Sequence, residues 1–320
     1  MKSMQSLLPL GLNRQTYQRE FLKSSWDVLK WKLFRIKKST LQFLHFKNLT
    51  LQHGNDVLKA AILKEEPFAA VRIGAVEMGA VHNHEKILLG LKNTYKPSVV
   101  MSMKQNAGFF PTIDKQLTFY AKHFVKEAKK TDILGISGIH MESYMYQRYF
   151  NGANVIPYEA FEPLRGDWIQ ALQGKRVLVV SPFAKDIQKQ YANRKHLFPQ
   201  GTLPEFTLIT VKAVQTIADA TDERYSTWFD ALDAMKVDVM KHDFDVALIG
   251  AGAYGSHLAW FVKTMGRQAI QTGGATQTMF GILGKRWEQR KHVAQYVNEA
   301  WIRPSEKPLG AEKVEHGAYW

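Results

Sequence analysis

The chain is 320 residues long, 45% apolar and 12% aromatic, with a formal net charge of +14. That length holds one large α/β domain or two small ones, and the apolar share fits a packed globular protein, not a disordered one. The lack of cysteine excludes disulfides, thiolate metal sites and a cysteine nucleophile.

No apolar run approaches the length of a membrane span, and the amino terminus has no signal-peptide core, which fits a cytoplasmic location. Residues 1–50 carry ten Lys or Arg against only Glu20 and Asp27. Within them Leu22, Trp26, Leu29, Leu33 and Ile36 recur at spacings of four and three, which predicts a helix with an apolar stripe. Lys23, Lys30, Lys32, Arg35, Lys37 and Lys38 flank it, and Trp31 and Phe34 widen the apolar side. A basic amphipathic helix can lie on an anionic bilayer or pack on its own domain with a solvated basic face, and both remain open. Nucleic acid is not an expected partner, because no helix-turn-helix, zinc-finger or RNA-binding signature is present.

Residues 51–304 then alternate helical and strand-like segments. Asp56 to Lys64 reads as a helix, Phe68 to Ile73 as a strand, Ser98 to Ser102 as a second strand, and Leu117 to Lys130 as a long helix with Leu117, Tyr120, Ala121, Phe124 and Ala128 inward. Asp132 to Ile136 gives a strand and Met141 to Phe150 a helix. Arg176 to Val180 is an apolar strand, followed by a helix over Lys185 to Leu197. Phe206 to Thr210 is another strand, and Tyr225 to Lys241 a helix with Trp228, Leu232, Met235 and Val239 on one face. The run Val246 to Ile249 is a buried strand that ends in Gly250-Ala251-Gly252-Ala253-Tyr254-Gly255. A helix through Leu258, Phe261, Val262 and Met265 stops at Gly266, and Gln268 to Thr272 is a last strand. This alternation predicts an α/β, Rossmann-like domain: a mostly parallel sheet with helices on both faces and ligands at the carboxyl ends of the strands. Residues 305–320 lack a core pattern and read as a tail that docks through Tyr319 and Trp320.

The glycine turn after Ile249 lets a backbone approach a ligand closely, and the helix start behind it offers N–H groups to an anion. Gly252, Tyr254 and Gly255 therefore join the candidate binding residues. The spacing matches the dinucleotide pattern, but no acid lies between Gly255 and Glu288 to hold a ribose, so NAD is not expected. A phosphorylated or nucleotide-like molecule is. Ser181, after the central strand, can donate to a phosphate; it lacks the glycine-flanked nucleophile elbow of a serine hydrolase. Gly274 ends the last strand, and Gln277 offers an amide to a base or a sugar hydroxyl. Lys285, Arg286 and Trp287 set two cations beside a flat ring, which suits a diphosphate and a sugar or base face; a loop anchored by Trp287 is the alternative. His82 and His84 make a short His-x-His that could bind metal on a strand, but the segment reads as helix or loop and the pair as solvated; His140 and His257 lie elsewhere.

Arg72 and Glu77 follow the first strand, where a guanidinium can clamp phosphate and a carboxylate can hold a metal or act as a base. The stretch Phe68 to Glu77 resembles the start of the GT-D-type bacterial glycosyltransferases, in which a strand leads into Arg-Phe-Gly-Asp-Gly-Glu. Arg72, Gly74 and Glu77 match that motif; Ala75 stands where the family has its aspartate and Val76 where it has glycine. Asn106 to Pro111 is similar to the family's Gly-aromatic-Pro segment, and Asp245 to Gly252 to its last strand and glycine turn. The resemblance covers roughly residues 55–275. It implies a nucleotide-sugar donor, a glycan or lipid-linked acceptor, and a divalent metal (Mn or Mg) held through the Asp-x-Glu pair. It also implies a place in cell-surface polysaccharide or glycoconjugate assembly, cytoplasmic or peripheral at the inner face of the membrane. Under it Glu77 is the catalytic and metal residue; Arg72, Gly74 and Asn106 bind substrate. Ala75 keeps two alternatives open: a non-catalytic nucleotide-sugar or glycan-binding protein, and a transferase using another activated donor.

Overall fold

The computed structural model describes residues 11–43, 46, 49–217, 220, 222–314 and 316–320. The first ten residues of the basic extension, with Leu44, His45, Lys47 and Asn48, lie outside them, as do the side chains of Lys38 and Leu41. Seven strands form one sheet: β1 (Phe68–Arg72), β2 (Ile133–Ile136), β3 (Asn154–Pro157), β4 (Arg176–Ser181), β5 (Thr207–Lys212), β6 (Val246–Ile249) and β7 (Gln268–Ile270). Their order across the sheet is β3-β2-β1-β7-β6-β4-β5. Every neighbouring pair is parallel.

The helices, in chain order, are α1 (Arg14–Phe34), α2 (Lys38–Gln42), α3 (Leu51–Leu63), α4 (Ala75–Leu88), α5 (Pro97–Gln105), α6 (Asp114–Glu127) and α7 (Glu142–Tyr149). After β4 come α8 (Ala184–Ala192), α9 (Arg194–Leu197), α10 (Trp228–Met240) and α11 (Tyr254–Thr264). The short α12 (Thr276–Met279), α13 (Lys285–Glu288) and α14 (Lys291–Ala294) close the series. Because side chains alternate along a strand, each strand feeds two cores. Ala69, Val71, Leu134, Val180 and Ile249 face one, with Met78 of α4, Tyr120 and Phe124 of α6, Trp228 of α10 and Trp260 of α11. Phe68, Ala70, Ile133, Val179 and Leu248 face the other, with Leu58 of α3, Ile187 of α8 and Trp287 of α13. The fold is thus α/β with helices on both faces of a parallel sheet, and the inward faces expected for α6 and α10 are buried.

Two expectations are corrected, and one strand was not foreseen. Residues Ser98–Ser102 lie in α5, not in a strand: Pro97 takes the first helical turn, where its missing N–H costs nothing, and Met103 is buried behind it. The helix expected over Lys185–Leu197 breaks at Asn193 into α8 and α9. The strand β3, only Asn-Val-Ile-Pro, was too short to show as a pattern.

The basic helix packs on the domain, but through a face other than its apolar stripe. Asn13 caps α1 by accepting from the Thr16 amide at 2.8 Å. The helix then packs through Tyr17, Ser24 and Asp27, and the Ser24 hydroxyl accepts from the Met141 amide at 2.8 Å. The apolar stripe faces away from the domain: Leu22, Trp26 and Leu33 are 68%, 58% and 65% exposed, and Leu29 and Ile36 are exposed as well. Among the described residues no helix is long and apolar enough to cross a membrane.

Candidate functional site

The connections from β4 and β6 leave in opposite directions across the sheet, β4 toward β5 and β6 toward β7. Such a switch point opens a crevice beyond the strand ends. A cleft with about 830 Å³ of empty space, part of it open to solvent, lies there. Ser181, Pro182 and Phe183 form the wall after β4, and Gly250 to Tyr254 the wall after β6. Ala213 to Ile217, Asn106 and Ala107, the segment from Gly273 to Gln277, and Val314, Tyr319 and Trp320 complete it.

Local chemistry explains each wall. The amides of Tyr254 and Gly255 donate back to the carbonyls of Ala251 and Gly252 at 3.1 and 3.0 Å, closing the turn into α11. Among the described residues this leaves the amides of Ala251, Gly252 and Ala253 without an acceptor, and no side chain caps the helix. Gly252 sits in the left-handed region at φ +53°, with open space where a side chain would be. Gly250 has no such space: a methyl there would meet the Thr276 hydroxyl at 2.5 Å and the Gly273 carbonyl at 2.8 Å. Tyr254 stacks on Trp228 at 4.4 Å and 6° between planes, and its hydroxyl lies 3.2 Å from that of Thr216. Burial pushes the Tyr254 phenol far above its ordinary range, so it stays neutral. The Ser181 hydroxyl accepts from the Phe183 amide at 3.2 Å, which keeps its own proton free to donate. Among the described lining residues none is Asp, Glu, Lys, Arg or His. An anion here would meet amide dipoles and hydroxyls instead of cations.

Six of the residues picked from the sequence line this cleft: Asn106, Ser181, Gly252, Tyr254, Gly274 and Gln277. Gln277 is not a free reader, since its amide nitrogen donates to the Ile282 and Tyr319 carbonyls, both at 3.2 Å. Its Oε1 is buried without a partner. Gly255 stands behind the cleft, packed on the Gln271 side chain.

Lys285 and Arg286 do not line this cleft. They line a separate open depression with Gln289, Arg290 and Ala318, on the far side of the tail. Arg286 donates to the Tyr319 hydroxyl at 2.8 Å and lies over its ring, so it braces the tail that forms one cleft wall. Trp287 is 4% exposed within the second core, which is the anchoring alternative.

Arg72 lies beneath the cleft floor. Its guanidinium donates to the Thr272 carbonyl and stacks 4.3 Å from the Tyr158 ring centroid, and its Nη1 has no partner. Gly74 starts α4, and the half-buried Glu77 side chain folds back on it, its Oε2 2.5 Å from where a Gly74 side chain would begin. Burial raises the Glu77 carboxyl, while the amides of Glu77 and Gly74 favour its charged form. Glu77 lines neither the cleft nor the cavity behind α1 described below. The positions that resemble the Asp-x-Glu pair hold Ala75 and Glu77, a methyl group and a carboxylate turned to its own helix start. These residues do not fit a two-carboxylate metal site. Among the described residues no three His, Asp or Glu gather in another one.

The histidines are also corrected. His82 and His84 sit on α4 and are buried. Burial, with Lys122 nearby, pushes the His84 imidazole down to about 4. The sequence reading missed the loop after β5, whose Ala213-Val214 continued an apolar run without a turn signal. It also missed the cavity against α4. Comparison with family models, with curated proteins and with solved structures found no match.

Proposed function

We propose that this chain is a glycosyltransferase-like enzyme of bacterial cell-surface polysaccharide or glycoconjugate assembly, taking a nucleotide-sugar donor in the switch-point cleft. The observation that carries the reading is the set of unengaged amides at Ala251, Gly252 and Ala253, at the start of α11, facing an uncharged and partly aromatic cleft. The donor diphosphate would lie over those amides and the Ser181 hydroxyl, with base and sugar faces against Phe183, Tyr319 and Trp320. Asn106 and Gln277 Oε1 would meet hydroxyls. The acceptor is a glycan or a lipid-linked group, and no step is routed through a metal. A peripheral position on the inner face of the membrane is supported by the exposed stripe of α1 with its Lys and Arg flanks: apolar side chains enter an anionic interface while cations meet lipid head groups.

The absence of any Asp, Glu, Lys, Arg or His among the described lining residues favours a second reading, a non-catalytic nucleotide-sugar-binding protein. One screen separates the two. Purified protein is titrated with a panel of nucleotide sugars under native mass spectrometry, beside Gly252→Ala, which puts a methyl group into the open side of the turn. Tight binding, weakened at least tenfold in Gly252→Ala and accompanied by sugar release or transfer, supports the enzyme. Binding without turnover supports the second reading. No binding of any nucleotide sugar overturns both.

A further inference from the structure

A second cavity, with about 730 Å³ of empty space, lies at the carboxyl ends of β1 and β2. Its walls are the inner face of α1 (Tyr17, Phe21), one face of α4 (Ala75, His82, Lys86), the start of α5 with Lys96, and His140. In contrast to the neutral cleft, its ionisable lining is one-signed: two lysines and two histidines, and no carboxylate among the described residues. Lys86 lies 5.0 Å from the Phe21 ring centroid and has no carboxylate partner among the described residues. Burial, with Lys96 and Lys92 nearby, holds its ammonium below the ordinary lysine range.

The acid next to the lysine and histidine of α4 is already engaged. Glu85, 1% exposed, accepts from Tyr149 at 2.7 Å and Tyr144 at 3.2 Å, and pairs with His82 Nδ1 at 3.2 Å and Arg148 at 3.4 Å. Meanwhile the Tyr17 hydroxyl and His82 Nε2, both on lining residues, are buried with no partner. Cations without a counter-ion and polar groups without partners call for an anion with several oxygens. The outer face of the same helix α1 carries the exposed apolar stripe, while its inner face closes the cavity with Tyr17 and Phe21 against the lysines of α4 and α5.

We propose that the cavity behind α1 binds the phosphate-bearing head of an amphiphile, with Lys86 and Lys96 on the phosphate oxygens and Tyr17 and His82 completing its hydrogen bonds. A role for that amphiphile as the sugar acceptor rests on the transferase reading; the binding itself does not. The head group and a free phosphate ester share this chemistry, so the test uses three probes on the full chain: decyl phosphate below its micelle concentration, decanol and inorganic phosphate. Calorimetry should show decyl phosphate binding at least tenfold tighter than either of the other two. The double variant Lys86→Met/Lys96→Met should lose that binding at least tenfold, and so should Lys96→Glu, which changes only an exposed position. Nucleotide-sugar binding in the cleft is measured on the same samples and should not change, so failure here is distinct from failure of the transferase reading. Equal binding of decyl phosphate and decanol, or unchanged binding in both variants, would overturn the site. Inorganic phosphate binding as tightly as decyl phosphate would overturn the amphiphile and leave a soluble phosphate as the ligand.

Discussion

Gly273 and Arg72 occupy one space: the missing side chain at Gly273 is what admits the guanidinium beneath the cleft floor. Gly273 is in the left-handed region at φ +59°, and a methyl there would run into Arg72. Gly273→Ala should therefore cost about 1–3 kcal/mol from backbone strain alone. It should also weaken nucleotide-sugar binding, because Gly273 and Gly274 line the cleft. Urea unfolding and a binding titration check both, and an unchanged unfolding midpoint would show that the floor is looser than its geometry.

Trp287 and Lys285, two residues apart, should behave oppositely. Trp287→Ala removes a 4%-exposed indole from the second core and should cost about 3–5 kcal/mol. Lys285→Ala should leave both stability and nucleotide-sugar binding at parental values. A tenfold loss of donor affinity in Lys285→Ala would return that lysine to the cleft.

Glu77 gives a pH signature. Its native carboxyl is raised by burial, so protonation is more favourable in the fold than in the unfolded chain. The stabilisation is fully present below the unfolded value of about 4.3 and is lost as pH rises through the raised native value. Relative to Glu77→Gln, the parent should be most stable near pH 4 and should lose that advantage toward pH 7. A stability difference that stays flat with pH would mean that the two backbone amides offset the burial in full.

The stripe on α1 should drive partition onto vesicles. Leu22→Ser/Trp26→Ser/Leu33→Ser removes three side chains that are already exposed, so stability should hold. Burying each in a bilayer contributes about 1.5 kcal/mol or more, so binding to phosphatidylglycerol vesicles should fall at least tenfold and should weaken with salt in the parent. Equal partition of the triple variant would sink the idea. So would a parent dimer that the same substitutions dissolve, since a second copy would then cover the stripe.

Much of the sheet was legible because its strands are apolar runs closed by glycine or a polar residue, as at Val246–Ile249. Periodicity gave the inward faces of α6 and α10 in the same way. It failed at Val99-Val100, where β-branched residues suggested a strand but Pro97 and the buried Met103 favour a helix. In α1 the periodicity found the stripe yet not its direction, because Tyr17, Ser24 and Asp27 make the packed face through contacts distant in sequence. For the cleft, the residues at strand ends were readable from local glycines. The placement of Lys285 and Arg286 was not, since it depends on Tyr319 and Trp320 returning from the far end of the chain.

The position of β1 bears on how the chain assembles as it is made. Ala70 pairs with Ile133 on one side and with Ile270 on the other. The first three strands can therefore zip together early, but the second edge of β1 stays open until residues near 270 have emerged from the ribosome. The roughly 110 residues between β3 and β7 take on the order of 5–20 s to synthesise at about 5–20 residues per second. For that interval a strand whose five residues are all buried in the finished fold offers its backbone to any passing strand. Nascent chains on neighbouring ribosomes are the nearest source of one, so crowding of translation, more than the stability of the finished fold, sets the risk of misassembly.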